Sequence, residues 1–182
     1  GLGVLLCLYT GLRLGELCAL KWGDISDAGI LTVRQTAQRI RNPDFGPDDP
    51  RHTIVVFDTP KSDSSRRSIP VPSLAQDWLE KLRCPPDCYL LTGQADHFLE
   101  PRTMQNRFKK LLRAAGVRNI NFHALRHTFA TDCVQLGFDP KTLSLILGHA
   151  DVGVTLNTYV PPSLSTMRTM MERLNRSGRP WV

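Results

Sequence analysis

The stretch "NFHALRHTFATDCVQL", residues 121–136, joins the pattern of a core helix to a cluster of polar side chains. Its apolar residues recur every three or four positions, which predicts an amphipathic helix with one face in the core. His123 and Arg126 are three residues apart on another face, within side-chain reach of each other. Such a pair can bind one anion, since Arg offers two parallel donors and His one further hydrogen bond. The apolar stripe comprises Phe122, Leu125, Phe129, Cys133 and Leu136.

A metal ion is the alternative ligand for this helix, because His123 and His127 are four residues apart. The zinc-protease helix with that spacing carries a Glu beside its first His as the base. The corresponding position here is Ala124, and no third ligand is evident in the sequence. We therefore predict no metal site, and we interpret His127 as a packing residue or a donor on the helix surface.

The composition favours a folded domain with a polyanionic partner. Of the 182 residues, 41% are hydrophobic, and the formal net charge is +6. The 23 basic residues divide into 17 Arg and 6 Lys, and the planar guanidinium suits phosphate oxygens. Five cysteines without a repeated CxxC pattern, and the lack of a secretory signal, predict a cytoplasmic protein with no membrane partner. The apolar run from Leu2 has no cap ahead of it, so we expect a fragment of a longer protein.

Periodicity predicts a mixed α+β fold, mostly α-helical, with a small three-stranded antiparallel sheet. The strands are expected at residues 30–40, 52–58 and 66–72, where β-branched residues partly alternate with polar ones. A loop rich in Pro, Gly and Asp separates the first two strands. Helices are expected at residues 2–9, before Lys21, and at 74–83, 101–115, 122–136, 140–147, 153–158 and 164–176.

A second polar cluster lies in "LGHADVGVTLNTYV", residues 147–160. His149 follows Gly148 just past a predicted helix end, and Tyr159 lies ten residues further on. Taken singly, His149 is typical of a C-terminal cap and Tyr159 of a core aromatic. Their occurrence together behind the His-x-x-Arg helix favours a shared site.

Two more clusters precede that helix in the chain. In "TGLRLGELCALKW", residues 10–22, Arg13 lies in a tight turn and Glu16 can bind its guanidinium. In "TPKSDSSRRSIP", residues 59–70, Lys61 lies between two predicted strands, close to Arg66 and Arg67. A structural salt bridge and a solvated lysine are the alternative interpretations of these two clusters.

In chain order these residues resemble the active-site series of the tyrosine recombinase (phage integrase) family, which is Arg, Lys, His-x-x-Arg, His or Trp, Tyr. The local motifs "TGLRLGEL", "HALRHTFAT" and "LGHADVGVTLNTY" also resemble those of the family, over about residues 1–175. The segment "LNTYV" looks most like integrases of conjugative transposons and related phages of low-GC Gram-positive bacteria. The matching residues are Arg13, Lys61, His123, Arg126, His149 and Tyr159.

The resemblance implies a site-specific DNA recombinase that cleaves and rejoins strands through a covalent 3′-phosphotyrosyl intermediate. Tyr159 would attack the phosphate that Arg13 and Arg126 clamp, and His149 would donate a further hydrogen bond to it. His123 would act as the base that takes the tyrosine proton.

Lys61 would protonate the departing 5′ oxygen, and Glu16 would orient Arg13. Because the tyrosine preserves the ester, the resemblance implies no requirement for a cofactor, for ATP or for a metal.

The resemblance also implies the domain organisation and the partners. Residues 1–182 would be a catalytic domain lacking its first helix and the N-terminal DNA-binding domains. Its partners would be double-stranded DNA and, in a bacterial cytoplasm, a directionality factor, with monomers in solution forming a homotetramer on DNA. Residues 163–182 would form a Met-striped helix and tail that dock on a neighbouring protomer, or alternatively fold back on their own domain. The DNA-binding candidates are Arg66, Arg67, Arg102, Arg107, Lys109, Lys110 and Arg113.

Two other functions stay open. A type IB topoisomerase shares the nucleophile, but the short Gly-His…Tyr spacing and the small size favour a recombinase. A catalytically silent DNA-binding module is the second alternative. All six positions carry chemically competent residues, which argues against it.

Overall fold

The computed structural model describes residues 1–47, 49–58, 66–159 and 168, with the backbone alone for Tyr159. Within these residues the chain forms seven α-helices and four β-strands, which confirms the mixed, mainly helical class. The helices are α1 (Leu2–Thr10), α2 (Leu14–Ala19), α3 (Ser73–Lys81), α4 (Pro101–Ala114), α5 (Ala124–Gln135), α6 (Pro140–Leu147) and α7 (Val152–Tyr159). The strands are β1 (Ile30–Val33), β2 (Thr36–Arg41), β3 (Thr53–Asp58) and β4 (Arg67–Pro70).

The β-structure differs from the single three-stranded sheet that the sequence predicts. The segment 30–40 breaks at Arg34 and Gln35 into two strands, and these take different partners. β1 pairs antiparallel with β4, and β2 pairs antiparallel with β3, so two two-stranded sheets result. Leu31 and Val33 are buried, whereas Gln35, the next residue in that alternation, is exposed. A continued strand would direct the polar side chain of Gln35 into the core, so β1 ends before this residue.

Helix α5 packs against α1 and carries the predicted apolar stripe. Its start is capped as expected, because Asn121 Oδ1 accepts a hydrogen bond from the Ala124 amide at 2.9 Å. Leu136 was expected in the core and is instead 78% exposed, since α5 ends at Gln135 and Leu136 lies beyond the packed face. The stripe residues that are buried are Phe122, Leu125, Phe129 and Cys133.

Helix α1 is capped by Gly11, which lies against the side chain of Phe129 on α5. Gly11 has a φ of 65°, in the left-handed region that favours glycine. A Cβ there would lie 2.6 Å from the ring of Phe129, so a larger residue would push α1 away from α5. The close approach brings the last carbonyls of α1 next to the helix that carries Arg126.

Helix α6 begins and ends where the sequence indicates. Asp139 Oδ1 accepts hydrogen bonds from the amides of Lys141 and Thr142, both at 3.0 Å. Gly148, with a φ of 66°, ends the helix. Helix α7 follows after four residues and packs back on α6.

Several predictions fall outside the described residues. Lys61 lies in the segment 59–65, and the predicted helix 164–176 is described only at Arg168, which is helical and exposed. No helix of the described part of the chain is long and apolar enough to span a membrane.

Candidate active site

The carboxyl end of α6 is the point where three arginines meet. The last carbonyls of an α-helix have no partner within the helix and carry its partial negative charge, so they attract cations. Three consecutive carbonyls here each accept a hydrogen bond from a different guanidinium. Arg67 Nε donates to Ile146 O at 2.5 Å, Arg126 Nη2 to Leu147 O at 2.7 Å and Arg13 Nη2 to Gly148 O at 3.0 Å.

Arg126 occupies the floor of this site. It lies on α5 and is 2% exposed. Its Nη1 donates to Gly11 O at 2.8 Å while its Nη2 reaches Leu147 O, so one guanidinium bridges the ends of α1 and α6. The negative ends of two helices thus stabilise a buried positive charge that would otherwise be strongly unfavourable.

Arg13 lies at the rim, where α2 begins, and its side chain is 38% exposed. The Arg13 amide donates to Glu16 Oε2 at 2.8 Å, and Arg13 Nη1 donates to Glu16 Oε1 at 3.0 Å. Its Nη2 donates to Gly148 O, as described above, and the described part of the chain shows no partner for its remaining guanidinium N–H groups. Arg13 is therefore held by Glu16 and Gly148 and still has N–H groups open at the rim.

Glu16 is buried between two arginines. Arg67 donates to both of its carboxylate oxygens, Nη1 to Oε1 and Nη2 to Oε2, each at 2.9 Å. Burial alone would raise the pKa of the Glu16 carboxyl. The hydrogen bonds and charge of Arg67, and less strongly those of Arg13, hold this pKa below its ordinary value instead. Glu16 is therefore a carboxylate at neutral pH.

His123 and His149 lie in the field of these arginines. The pKa of His123 is lowered by partial burial and then by the charges of His127, Arg126 and Arg13. The pKa of His149 is lowered to about 4 by partial burial and by the charges of Arg126, Arg13, Arg67 and His123. Both imidazoles are therefore neutral at pH 7, so each can accept one proton and donate another.

His149 is oriented by helix α7. Its Nδ1 lies 2.8 Å from the hydroxyl oxygen of Thr155, which is fully buried. Tyr159 is the last residue of α7, four positions after Thr155, so the two residues lie on the same side of the helix. The contact therefore ties the position of His149 to the helix that bears Tyr159.

The structure thus brings Arg13, Glu16, His123, Arg126 and His149 to one place, with Tyr159 on the adjoining helix. His127 is exposed beside His123, with ring centroids 4.8 Å apart. Among the described residues, no three His, Cys, Asp or Glu side chains are grouped so that they could hold a metal ion.

The DNA-binding candidates divide between the surface and the interior. Arg66 and the basic residues of α4 are exposed: Arg102, Arg107, Lys109, Lys110 and Arg113. Arg67 differs, since its side chain is only 5% exposed and its donors are directed to Glu16 and Ile146. The guanidinium of this residue is thus bound inside the protein, unlike those of the other candidates.

Sequence reasoning missed the roles of Arg67 and Thr155. The signal for Arg67 was available, because it alternates along β4 with the buried Ile69 and Val71. Thr155 carried no comparable signal, since a threonine within a short helix is common and its partner depends on how that helix packs.

The chain matches a known protein family over most of its length. A family model described as "Phage integrase family" matches residues 2–164. A tyrosine recombinase XerC-like protein of Caldanaerobacter subterraneus is 31% identical over 94% of this chain and 48% of its own length. The transposase from transposon Tn916 of Enterococcus faecalis is 27% identical over 95% of this chain and 45% of its own length. The chain therefore spans about half the length of these curated relatives.

Solved structures of an integrase and of a recombinase also match this chain. The Tn1549 transposon integrase in complex with transposon right end DNA matches with a TM-score of 0.74 and 27% identity, over 96% of this chain and 58% of that chain. The XerA recombinase matches with a TM-score of 0.63 and 27% identity, over 99% of this chain and 57% of that chain. The similarity in fold thus extends over nearly all of this chain and more than half of each of these two proteins.

Proposed function

Because the chain belongs to the phage integrase family, we propose that it is the catalytic part of a site-specific DNA recombinase. One observation carries the proposal: Arg13, Arg126, His123 and His149 converge at the carboxyl end of α6, and Tyr159 lies on the next helix. The proposed substrate is double-stranded DNA, and the reaction exchanges strands without loss of phosphodiester bonds.

The two arginines play unequal parts in phosphate binding. Arg13 has open N–H groups at the rim and would donate to a non-bridging oxygen of the scissile phosphate. Arg126 is nearly buried and would supply fixed positive charge from the floor of the site. Charge that is already in position stabilises the more negative transition state without reorganisation.

The two histidines act as neutral groups. A free tyrosine hydroxyl has a pKa of about 10, so attack by Tyr159 requires a base. His123, neutral at pH 7, would accept that proton. If the Thr155 hydroxyl donates to His149 Nδ1, the proton of His149 resides on Nε2, and this N–H would donate to the phosphate.

The bond changes balance without a cofactor. The Tyr159 oxygen forms a bond to phosphorus as the bond from phosphorus to the 5′ oxygen breaks, and Lys61 would protonate that oxygen. In the second half of the reaction, a 5′ hydroxyl attacks the phosphotyrosine and releases Tyr159. One ester replaces another in each step, so no external energy source is needed.

The proposal extends to surfaces and partners. Relatives in the family are described as a transposase and as an integrase bound to transposon end DNA, and we assign mobile-element DNA as the substrate here. The exposed basic face of α4 and Arg66 would contact its backbone. We further propose that monomers assemble as a tetramer on DNA, that residues 163–182 dock on a neighbouring protomer, and that a directionality factor sets the outcome.

The experiment that tests the proposal traps the covalent intermediate. A DNA built from the ends of the element that encodes the chain carries a nick beside the cleavage point, so the released fragment diffuses away. Denaturing gels compare wild type with Tyr159→Phe, using protein that includes the N-terminal domains. The chain has three tyrosines, so Tyr9→Phe and Tyr89→Phe are matched controls.

We expect a DNA-linked band in wild type and in both controls, and none in Tyr159→Phe. A band that persists in Tyr159→Phe would refute the assigned nucleophile. DNA binding by every variant without any band would identify a silent DNA-binding module. Relaxation of supercoiled DNA without exchange between two sites would identify a topoisomerase.

A further inference from the structure

Arg67 is a buried arginine whose donors are committed to the site described above. Its side chain and that of Glu16 are each 5% exposed, and they form a two-bond fork. Its Nε donates to Ile146 O in the last turn of α6. A guanidinium that binds a carboxylate with two parallel hydrogen bonds is fixed in both position and orientation.

These contacts join β4 to two segments of the active site. Through Glu16, Arg67 is linked to Arg13, because both arginines bind the same carboxylate. Through Ile146, it holds the end of α6, where the chain turns towards His149. Gly148 lies directly against it, since a Cβ at that position would be 2.9 Å from both Cδ and Nη1 of Arg67.

The charges show why a second arginine matters. Arg13 and Glu16 alone would form a neutral pair, and an anionic phosphate gains little from a neutral pair. Arg67 contributes the larger favourable interaction with Glu16, both by hydrogen bonds and by charge. The three groups together carry a net charge of +1. Of the two arginines, it is Arg13 at the rim whose N–H groups are open to a phosphate.

We propose that Arg67 is a positioning residue for DNA cleavage. It offsets the charge of Glu16 and fixes the end of α6, so that the surroundings of Arg13 keep a net positive charge and its guanidinium stays directed at the scissile phosphate. The inference rests on the proposed function and assigns no contact between Arg67 and DNA.

The test separates charge from hydrogen bonding at residue 67. Arg67→Gln keeps amide donors for Glu16 but removes the charge, whereas Arg67→Lys keeps the charge but loses the fork. The rate of covalent linkage to the nicked DNA is measured at saturating DNA, together with the apparent Kd and the melting temperature. The control Arg83→Gln removes another arginine, which pairs with Asp27 at the surface and has no contact with the end of α6.

We expect Arg67→Gln to lower the linkage rate by up to about 100-fold, because a misplaced Arg13 costs at most what the loss of one transition-state donor costs, and Arg67→Lys to lower it by about tenfold or less. The double variant Glu16→Gln with Arg67→Gln removes both charges and leaves Arg13 positive. It should link DNA at least about tenfold faster than Arg67→Gln alone, because the net charge of +1 returns. Arg83→Gln should match wild type.

A purely structural role predicts a different order. The linkage rates would then follow the melting temperatures, and the double variant would be no faster than Arg67→Gln. That result, or equal rates for Arg67→Gln and Arg67→Lys, would overturn the proposal. If Arg67→Gln does not fold, the linkage rate of the double variant, whose two amides can still pair, is compared with that of Arg67→Lys. Rates that simply follow the melting temperatures would then overturn the proposal.

A measurement without DNA separates this inference from the proposed function. The Nε–H signal of Arg13, assigned with Arg13→Lys, is followed by NMR in wild type and in Arg67→Gln. We expect its chemical shift and hydrogen exchange to change, since the charge of Arg67 no longer competes with Arg13 for the Glu16 carboxylate. If wild type forms no Tyr159-dependent link, the recombinase assignment fails. An unchanged Arg13 signal refutes the inference that Arg67 positions Arg13, whatever the activity of the variant.

Discussion

Replacing Gly148 by alanine should disturb both the stability of the protein and its active site. Gly148 ends α6 with a φ of 66°, and an L-residue in that conformation is disfavoured by roughly 1–2 kcal/mol. The new Cβ would also lie 2.9 Å from Cδ and Nη1 of Arg67. Arg67 cannot turn aside freely, because Glu16 and Ile146 hold its guanidinium.

Gly116 provides a matched control for this substitution. It has the same φ of 66°, and a Cβ there would meet nothing within 4 Å. Gly116→Ala therefore carries only the same backbone penalty of roughly 1–2 kcal/mol. Gly148→Ala carries in addition the loss or distortion of one charge-assisted hydrogen bond of Arg67, which is worth about 2 kcal/mol. The difference between the two variants isolates the contact with Arg67.

Thermal unfolding measures that difference. For a chain of this size, each kcal/mol shifts Tm by roughly 2–4 °C, so Gly148→Ala should melt about 4–8 °C below Gly116→Ala. The gap should narrow in an Arg67→Gln background, where the shorter side chain leaves room for the methyl group. Equal Tm values for the two alanine variants would show that Arg67 does not press against Gly148, and the reasoning would be wrong.

Three further predictions concern the same site. Arg126→Lys should lower the free energy of unfolding by about 2 kcal/mol in urea titrations, because one ammonium cannot replace a guanidinium that bridges two helix ends; an unchanged midpoint would contradict this. Thr155→Val should slow covalent linkage to DNA without weakening DNA binding, since it removes the hydroxyl beside His149 Nδ1, whereas Thr155→Ser should retain the wild-type rate. The stability of the wild type should fall as pH drops from about 6.5 towards 4, because the pKa of His149 is lowered to about 4 and the unfolded chain takes up the proton first. Denaturation of wild type and His149→Gln at pH 7 and pH 4.5 checks this, and a pH dependence of equal size in both proteins would contradict it.

The sequence by itself determined those features that depend on neighbours along the chain. The periodic stripe of α5, the cap at Asn121, the cap at Asp139 and the end of α6 at Gly148 all involve residues within about one helical turn. Such interactions form wherever the helix forms, so they can be predicted without knowing the fold. The order of the motifs along the chain also indicated the family. The structure confirms the mixed α+β class.

Only the tertiary structure decided which carbonyls and carboxylates the buried arginines bind. Arg126 binds carbonyls that are 115 and 21 positions away, and Arg67 binds a carboxylate 51 positions away. The sequence suggests a DNA-facing Arg67, but its place on the inward face of β4 buries it. The same dependence on packing separates β1 from β2 at Gln35. Long-range partners depend on how helices and strands pack, and in this protein that packing gathers three arginines at the end of α6.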